Sequence, residues 1–347
     1  MVRTTRIAVA LAATALLASA VACGSGTQQS SSGGAPKLTV ALITGSSWRV
    51  PVEIGIAQGY FRQAGVEVEL ITQPSGTTSG QLLLSNTAQY SASPVANMAQ
   101  AIQHGQHLSY GCGAQVVTPS ALVVPKGSSL PTTAKGADWK AIAKSLEGKK
   151  LGLPVPLGTS LQFQLDQAIR VGGADPGKIT YVTTGSGATL TGALSGKAID
   201  VAMAFSPDAE ALTRGPKSVA EEMIYLPKDG PEMYRDYAGG YTASQDWLKQ
   251  NPETAAKFCQ GIRDSIKWLH DGANQQAYTQ VLTKVAGNLD PGALETVESR
   301  LTAAYSADIP RDLLEAALKR AYSYPGLLKP EPVVTYQDLV TMPAPKS

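Results

Sequence analysis

Hydroxyls and backbone amides, rather than paired nucleophiles and bases, are the chemistry that this chain concentrates. Four segments, 45–48, 75–78, 157–160 and 185–187, gather Ser, Thr and Gly just ahead of a helical pattern. They contribute Ser46, Ser47 and Trp48, then Ser75, Gly76 and Thr77, then Gly158, Thr159 and Ser160, and finally Gly185. A helix start presents unpaired N–H groups and the positive end of the helix dipole, so such segments can hold an anion without a cationic side chain. The same residues also suit plain capping and turn formation, the simpler assignment for any one segment. Four equivalent segments together favour binding. Ser93, Thr118, Phe205 and Tyr241 stand at or near strand ends beside them, where they could line the same cleft. Trp48 could stack on a ligand or fill a rim. Arg49 could pair a carboxylate or sulfonate through both ends of its fork, although a solvated Arg is the commoner occupant of a helix start. Asp208, after the Ser206-Pro207 corner, could bind an amino group or cap the next helix.

Other chemistry is poorly provided for. His104-x-x-His107 lacks a third ligand at suitable spacing and suits a solvated helix end, so no metal is expected. His270 stands alone. No Gly-x-Ser-x-Gly elbow, His-Glu-x-x-His helix or Walker loop occurs. No catalytic residue and no cofactor is expected.

The N-terminus sets the compartment. Arg3 and Arg6 precede an apolar, small-residue stretch over 7–21, which marks 1–22 as a signal peptide. Cys23 follows Ala22 directly and precedes Gly24, an arrangement that resembles the bacterial lipobox, with Ala20 where Leu is more usual. The resemblance implies that Cys23 is acylated and becomes the mature N-terminus. Residues 23–37, rich in Gly, Ser and Gln, form a flexible tether with a reach of roughly 20 Å. The expected location is the outer face of the bacterial cytoplasmic membrane, with the lipid as the sole membrane attachment. Without Arg3 and Arg6 the chain carries 27 basic and 27 acidic residues. Such balance gives no footprint for nucleic acid and no basic block for anionic lipid. Cys112 and Cys259 could pair in an exported protein or remain two separate buried thiols.

A repeating frame positions the four segments. A strand over 38–43 enters the first loop, then a helix places Val52, Ile56 and Tyr60 on one face and stops at Gly65. A strand over 66–70, the second loop, a short helix ending at Ser85-Asn86 and a strand over 88–92 closing on Ser93-Pro94 complete the unit. The order recurs from residue 149. A strand over 150–155 meets the third loop, and a helix with Leu161, Leu165, Ala168 and Ile169 on one face stops at Gly172-Gly173. A strand over 179–183, the fourth loop, a helix ending over 194–196 and a strand over 199–205 closing on Ser206-Pro207 follow. Leu84-Ser85-x-x-Ala88-x-x-x-Ala92 matches Leu194-Ser195-x-x-Ala198-x-x-x-Ala202. Thr78-x-x-Gln81 and Thr159-x-x-Gln162 each offer a capping box. These are two α/β units with largely parallel sheets. Beyond them Asn251-Pro252 opens a helix with Phe258, Ile262, Ile266 and Leu269 on its buried stripe, and further helices are expected over 275–287, 291–305 and 310–322.

Two motifs narrow the family. Ile54-Gly55-Ile56-Ala57-x-Gly59-Tyr60-Phe61-x-x-Ala64-Gly65-Val66-x-Val68-Glu69 resembles the opening of one group of ABC-importer solute-binding proteins. That group includes binders of aliphatic sulfonates, taurine, nitrate and the thiamine-pyrimidine precursor. Ala193-Leu194-Ser195-Gly196-Lys197-Ala198-Ile199-Asp200-Val201-Ala202-Met203-Ala204-Phe205-x-Pro207 is similar to its second-lobe signature. The resemblance spans about 38–325 and implies an α/β, two-lobed periplasmic-binding-protein type II fold, with mixed, mainly parallel sheets and a helical C-terminal region. It implies one lobe from 38–118 plus 238–330, a second over 119–237, and crossings near 117–122 and 226–240. A monomer would bind a small molecule between the lobes and deliver it to an ABC permease with its ATPase. A sulfonate-, taurine- or nitrate-like anion is the first ligand expectation and a neutral heterocycle the second. An enzyme of the pyrimidine-precursor type is the alternative, opposed by the export signal and the scarcity of His and Cys. A signalling lipoprotein on the same frame is the third reading.

Overall fold

The computed structural model describes residues 34–43, 46–73, 76–286 and 289–341. Cys23, the signal peptide, the tether through residue 33, Gly45 and Ser75 lie outside the described residues. Residues Ala35–Ser347 make one compact unit.

Among the described residues ten strands carry it: β1 Lys37–Ile43, β2 Glu67–Gln73, β3 Ser91–Pro94, β4 Leu108–Gln115, β5 Ser120–Pro125, β6 Lys150–Leu153, β7 Thr180–Thr183, β8 Val201–Phe205, β9 Ala220–Tyr225 and β10 Gly239–Ser244. β1 pairs in parallel with β2, and a Val40–Tyr90 bridge links β1 to the chain entering β3, so the first sheet runs β2-β1-β3-β10-β4. The second runs β7-β6-β8-β5-β9. The repeat is visible in this order. Each unit lays down three parallel strands, and one antiparallel strand, β10 or β5, enters beside the third. The sheets are therefore mixed and mainly parallel, as expected: in each, four strands run one way and only β10 or β5, arriving from the opposite sheet, runs the other.

The chain passes between the sheets through 116–119 and 226–238. Residues 120–122 and 239–240, expected to be crossings, already belong to strands. Ala238 N–H donates to the Gln115 carbonyl, so the two crossings touch where they leave the first sheet.

Helices follow the expected order with two corrections. The first ends early, as Arg49–Gln58, because Gly59 takes a left-handed conformation (φ +76°) and starts a separate turn, Tyr60–Gln63. The large apolar side chains that it buries are accordingly Val50, Val52 and Ile54, while Ile56 and Tyr60 are half-buried. The capping boxes also differ. The helix Gly76–Leu84 begins ahead of Thr78, which lies inside it. Gln162 does accept from the Gly158 N–H, but the Thr159 hydroxyl donates to the Pro156 carbonyl instead of capping. The third strand of the first unit is also shifted, to Ser91–Pro94 from the expected 88–92.

The first core centres on Phe61, stacked on Phe258 of the helix Pro252–Leu269, which in turn stacks on Tyr90 at 3.9 Å. Gly55 and Gly261 flank the Phe61 ring so closely that an added Cβ would lie 2.4 and 2.3 Å from it. Phe258, Ile262, Ile266 and Leu269 are all buried, as their spacing predicts. Helices Gln275–Ala286, Pro291–Ala304 and Arg311–Ser323 complete the C-terminal region. Cys112 on β4 and Cys259 are joined in a disulfide with Cα atoms 5.6 Å apart.

Two outcomes follow. Gly261→Ala should destabilise the protein by about 1–3 kcal/mol, the range for an overpacked core, read from urea unfolding. Non-reducing peptide mapping should recover a linked pair containing Cys112 and Cys259, and Cys112→Ala/Cys259→Ala should lower stability by about 2–5 kcal/mol. Free thiols at both positions in the unreduced protein would contradict the pairing.

Candidate functional site

Parallel strands end at a common edge, and the loops leaving that edge are where this architecture can bind. In the first sheet the segments after β1, β2 and β3 leave there, and in the second those after β6, β7 and β8. The edges are tied across. Ala96, in the first turn of helix Val95–Gln103, and Phe163, in the first turn of helix Ser160–Val171, share one small apolar cluster with Tyr324 and Leu327.

The first loop is held from behind. Ser47 is buried; its hydroxyl accepts from Gln115 Nε2 at 2.8 Å, and its carbonyl accepts from the Tyr305 hydroxyl at 2.5 Å. The Trp48 carbonyl accepts from the Tyr241 hydroxyl at 2.8 Å. Tyr241 is thus no cleft-lining ring. It is fully buried, edge-on to Phe258, where burial pushes its hydroxyl pKa up, and it serves to fix the loop. The Trp48 ring is half-buried against the first core, while Ser46 Oγ accepts from the Trp48 N–H. Arg49 is not a free cation either. Its guanidinium pairs with Glu53 one turn on, at 3.2 Å, and Glu53 also takes Lys284.

At the second loop, Gln73 at the end of β2 is buried and donates from Nε2 to Ser79 and Ser91. Ser91 spends its own proton on the Ala41 carbonyl, which fixes the amide's orientation and leaves Gln73 Oε1 buried without a partner among the described residues. Gly76 and Thr77 open helix Gly76–Leu84. Ser93 at the end of β3 takes the Tyr110 hydroxyl on its carbonyl.

The second sheet's loops are more open. Gly158 has positive φ and is exposed, and Thr159 and Ser160 are half-buried at the helix start. Gly185, also with positive φ, is half-buried. Asp208 does not cap the helix Asp208–Thr213; its carboxylate accepts from the Gly187 N–H at 2.8 Å and pins the fourth loop. Burial raises its pKa, with the Gly187 bond opposing. Phe205 and Thr118 are half-buried at the end of β8 and in the first crossing.

The helix starts share one property. Helices Arg49–Gln58, Val95–Gln103, Ser160–Val171 and Ala188–Ser195 all begin without a side-chain cap. Trp139–Ser145, Gln245–Gln250 and Pro291–Ala304, away from these edges, are capped by Asp138, Ser244 and Asp290. Capless starts also occur at Pro252–Leu269 and Arg311–Ser323. What distinguishes the first four is that they stand together on the facing edges.

Sequence reasoning missed Gln73, Gln115 and Tyr305, which hold the loops from behind, and the buried pairing of Glu210 with Arg300. Arg300, on helix Pro291–Ala304, pairs with Glu210 at 2.6 Å and with Glu222 at 2.9 Å. The Arg49–Glu53 pair, four apart on a helix, is a contact whose spacing could have signalled it. Among the described residues no group of three or more His, Cys, Asp and Glu could hold a metal ion, and His104 and His107 are exposed. A surface hollow of about 640 Å³ beside Tyr60 and Trp268 shares no residue with the four loops.

Comparison with known proteins accords with this frame. YtlA of Bacillus subtilis (strain 168), provisionally named a binding protein, is 22% identical over 278 residues, covering 75% of this chain and 74% of its own. The alkanesulfonate-binding protein SsuA from Xanthomonas axonopodis pv. citri, solved with bound MOPS, superposes with a TM-score of 0.68 at 15% identity, over 89% of this chain and 99% of its own. The periplasmic nitrate-binding protein NrtA from Synechocystis PCC 6803 gives 0.64 at 14% identity, over 86% and 83%. The fold is thus the periplasmic binding protein fold. The family model described as NMT1/THI5 like matches residues 50–275, well over half of the sequence, and the chain belongs to the NMT1/THI5-like family.

Proposed function

We propose that this protein is the substrate-binding component of an ABC importer, exported and held through acylated Cys23 to the outer face of the bacterial cytoplasmic membrane. In this reading 38–118 with 238–330 forms one lobe and 119–237 the other, and a small organic anion binds between them. A monomer delivers it to a permease with its ATPase, and no chemical turnover is involved. One observation carries the reading: uncapped helix starts gathered on two facing sheet edges. The alkanesulfonate and nitrate binders of the same fold support it, as does the Cys112–Cys259 disulfide, which suits an oxidising compartment.

The ligand-contacting groups are Ser46, Trp48 and the backbone of Gly76 and Thr77 on one side and Gly158, Thr159, Ser160 and Gly185 on the other, with Ser93, Thr118 and Phe205 at the margins; Ser75 belongs to the same reading but lies outside the described residues. Ser47 takes part through its backbone, because its hydroxyl is engaged by Gln115. With Arg49 paired to Glu53, the helix starts must supply the compensation for a buried negative charge. That favours one delocalised charge, as in a sulfonate. The Arg49 pairing also supports a second reading, a neutral heterocycle that needs no counter-charge.

A thermal-shift screen of residues 35–347 against alkanesulfonates, taurine, nitrate and pyrimidines separates the two. The true ligand at a hundredfold excess over Kd should stabilise the protein by about 2.7 kcal/mol. A shift with pyrimidines alone selects the second reading, and binding of a dicationic polyamine overturns the anion reading. For the anchor, Cys23→Ala should abolish incorporation of labelled palmitate. An unlabelled wild-type protein whose processing ignores globomycin would remove Cys23 from the scheme.

A further inference from the structure

The helix Pro291–Ala304 faces two ways. Val297 and Leu301 are buried in the first core, and its C-terminal end abuts the first crossing, where the Ala304 carbonyl accepts from the Val116 N–H. From the same helix Arg300 reaches the elements of the second sheet. Its Nη1 lies 2.6 Å from Glu210 Oε1, its Nη2 lies 2.9 Å from Glu222 Oε1 on β9, and its guanidinium sits 3.8 Å over the Tyr225 ring. Glu210 is wholly buried, and its Oε1 also accepts from the Ser206 hydroxyl at 2.8 Å. Backbones approach closely beside this network: a Cβ on Gly215 would lie 2.6 Å from that of Asp290, the residue that caps the helix.

Ser206 opens the corner that sets the direction of Asp208, and Asp208 holds the Gly187 N–H. A continuous chain of polar contacts and backbone therefore runs from Arg300 through Glu210, Ser206 and Asp208 to the loop at 185–187. Withdrawing the guanidinium leaves a wholly buried carboxylate without its counter-charge, and such a group forces rearrangement of whatever holds it. We propose that Arg300 is a positioning residue for the binding site: from a helix rooted in the first core, it fixes the second sheet's rim of the cleft. The proposal rests on the binding reading for its purpose but not for its test, which needs no ligand.

The test is hydrogen exchange by mass spectrometry on residues 35–347, a compact unit in its own right. Arg300→Met should speed exchange at least tenfold in peptides covering 185–190 and 205–214. Peptides around the disulfide, 108–115 and 252–262, should exchange as in the wild type. Arg300→Lys keeps the charge without the fork that spans both glutamates and should fall between. Arg311→Met, which breaks an exposed pair with Glu315, should change neither rim peptide. Unchanged rim exchange in Arg300→Met overturns the proposal, and so does an equal rise in every peptide, which marks general loosening. Should Arg300→Met fail to fold, Arg300→Lys decides, and a wild-type rim in that variant overturns the proposal. A failed ligand screen with a loosened rim would sink the transport reading alone.

Discussion

Each sheet of this protein is completed by a strand that comes from beyond the other sheet, and the rest of the structure depends on that exchange. β10 returns from the second sheet and inserts between β3 and β4; β5 leaves the first sheet and inserts between β8 and β9. A backbone arriving between two existing strands has little room. At Gly239 an added Cβ would lie 2.2 Å from the Ser93 carbonyl oxygen, and at Gly240 2.6 Å from that of Cys112. Only glycine fits either place. Once seated, β10 carries Tyr241 under Trp48, so the first candidate loop is set by a residue nearly two hundred positions later in the chain.

The candidate site consequently has little chemistry of its own. Its side chains are mostly small, and they are oriented by larger ones behind them: Tyr241, Gln115 and Tyr305 for the first loop, Asp208 for the fourth. The charged groups near it are already engaged, Arg49 by Glu53 and Asp208 by a backbone amide. What remains for a partner is oriented peptide dipoles from helix starts on two sides. Such dipoles need no reorganisation when a ligand arrives.

Much of the frame was legible because it follows from local periodicity. The spacing of Leu165, Ala168 and Ile169 and the proline start at Pro252 each report a helix that buries one face, and both helices form as expected. Misreadings arose where a neighbour distant in sequence decides. The pattern through Val52, Ile56 and Tyr60 suits one helix, yet Phe61 is drawn between Gly55 and Gly261, and Gly59 breaks the run to allow it. Tyr241 was read as a candidate for the cleft because its partner, the Trp48 carbonyl, is set by tertiary placement; Arg49 was read so although Glu53 lies one helical turn on, a carboxylate that Lys284 also backs. Arg300 offered no signal, since Glu210 and Glu222 become its neighbours only after two sheets are assembled. Thr159 precedes its helix as expected, but its hydroxyl found the Pro156 carbonyl closer to hand.

The central position of β10 also bears on how the molecule can come into being. A chain that emerges from its N-terminus presents β1 to β4 long before the strand that joins β3 to β4 exists. Residues 120–225, by contrast, supply all five strands of the second sheet without a break. The contiguous sheet can therefore form early, while the first must stay in two pieces until residue 244 has emerged and a wide loop has closed. Loop closure over such separations slows folding. In a chain that emerges progressively, that delay keeps the half that leads the way from locking into its final form before the rest has followed.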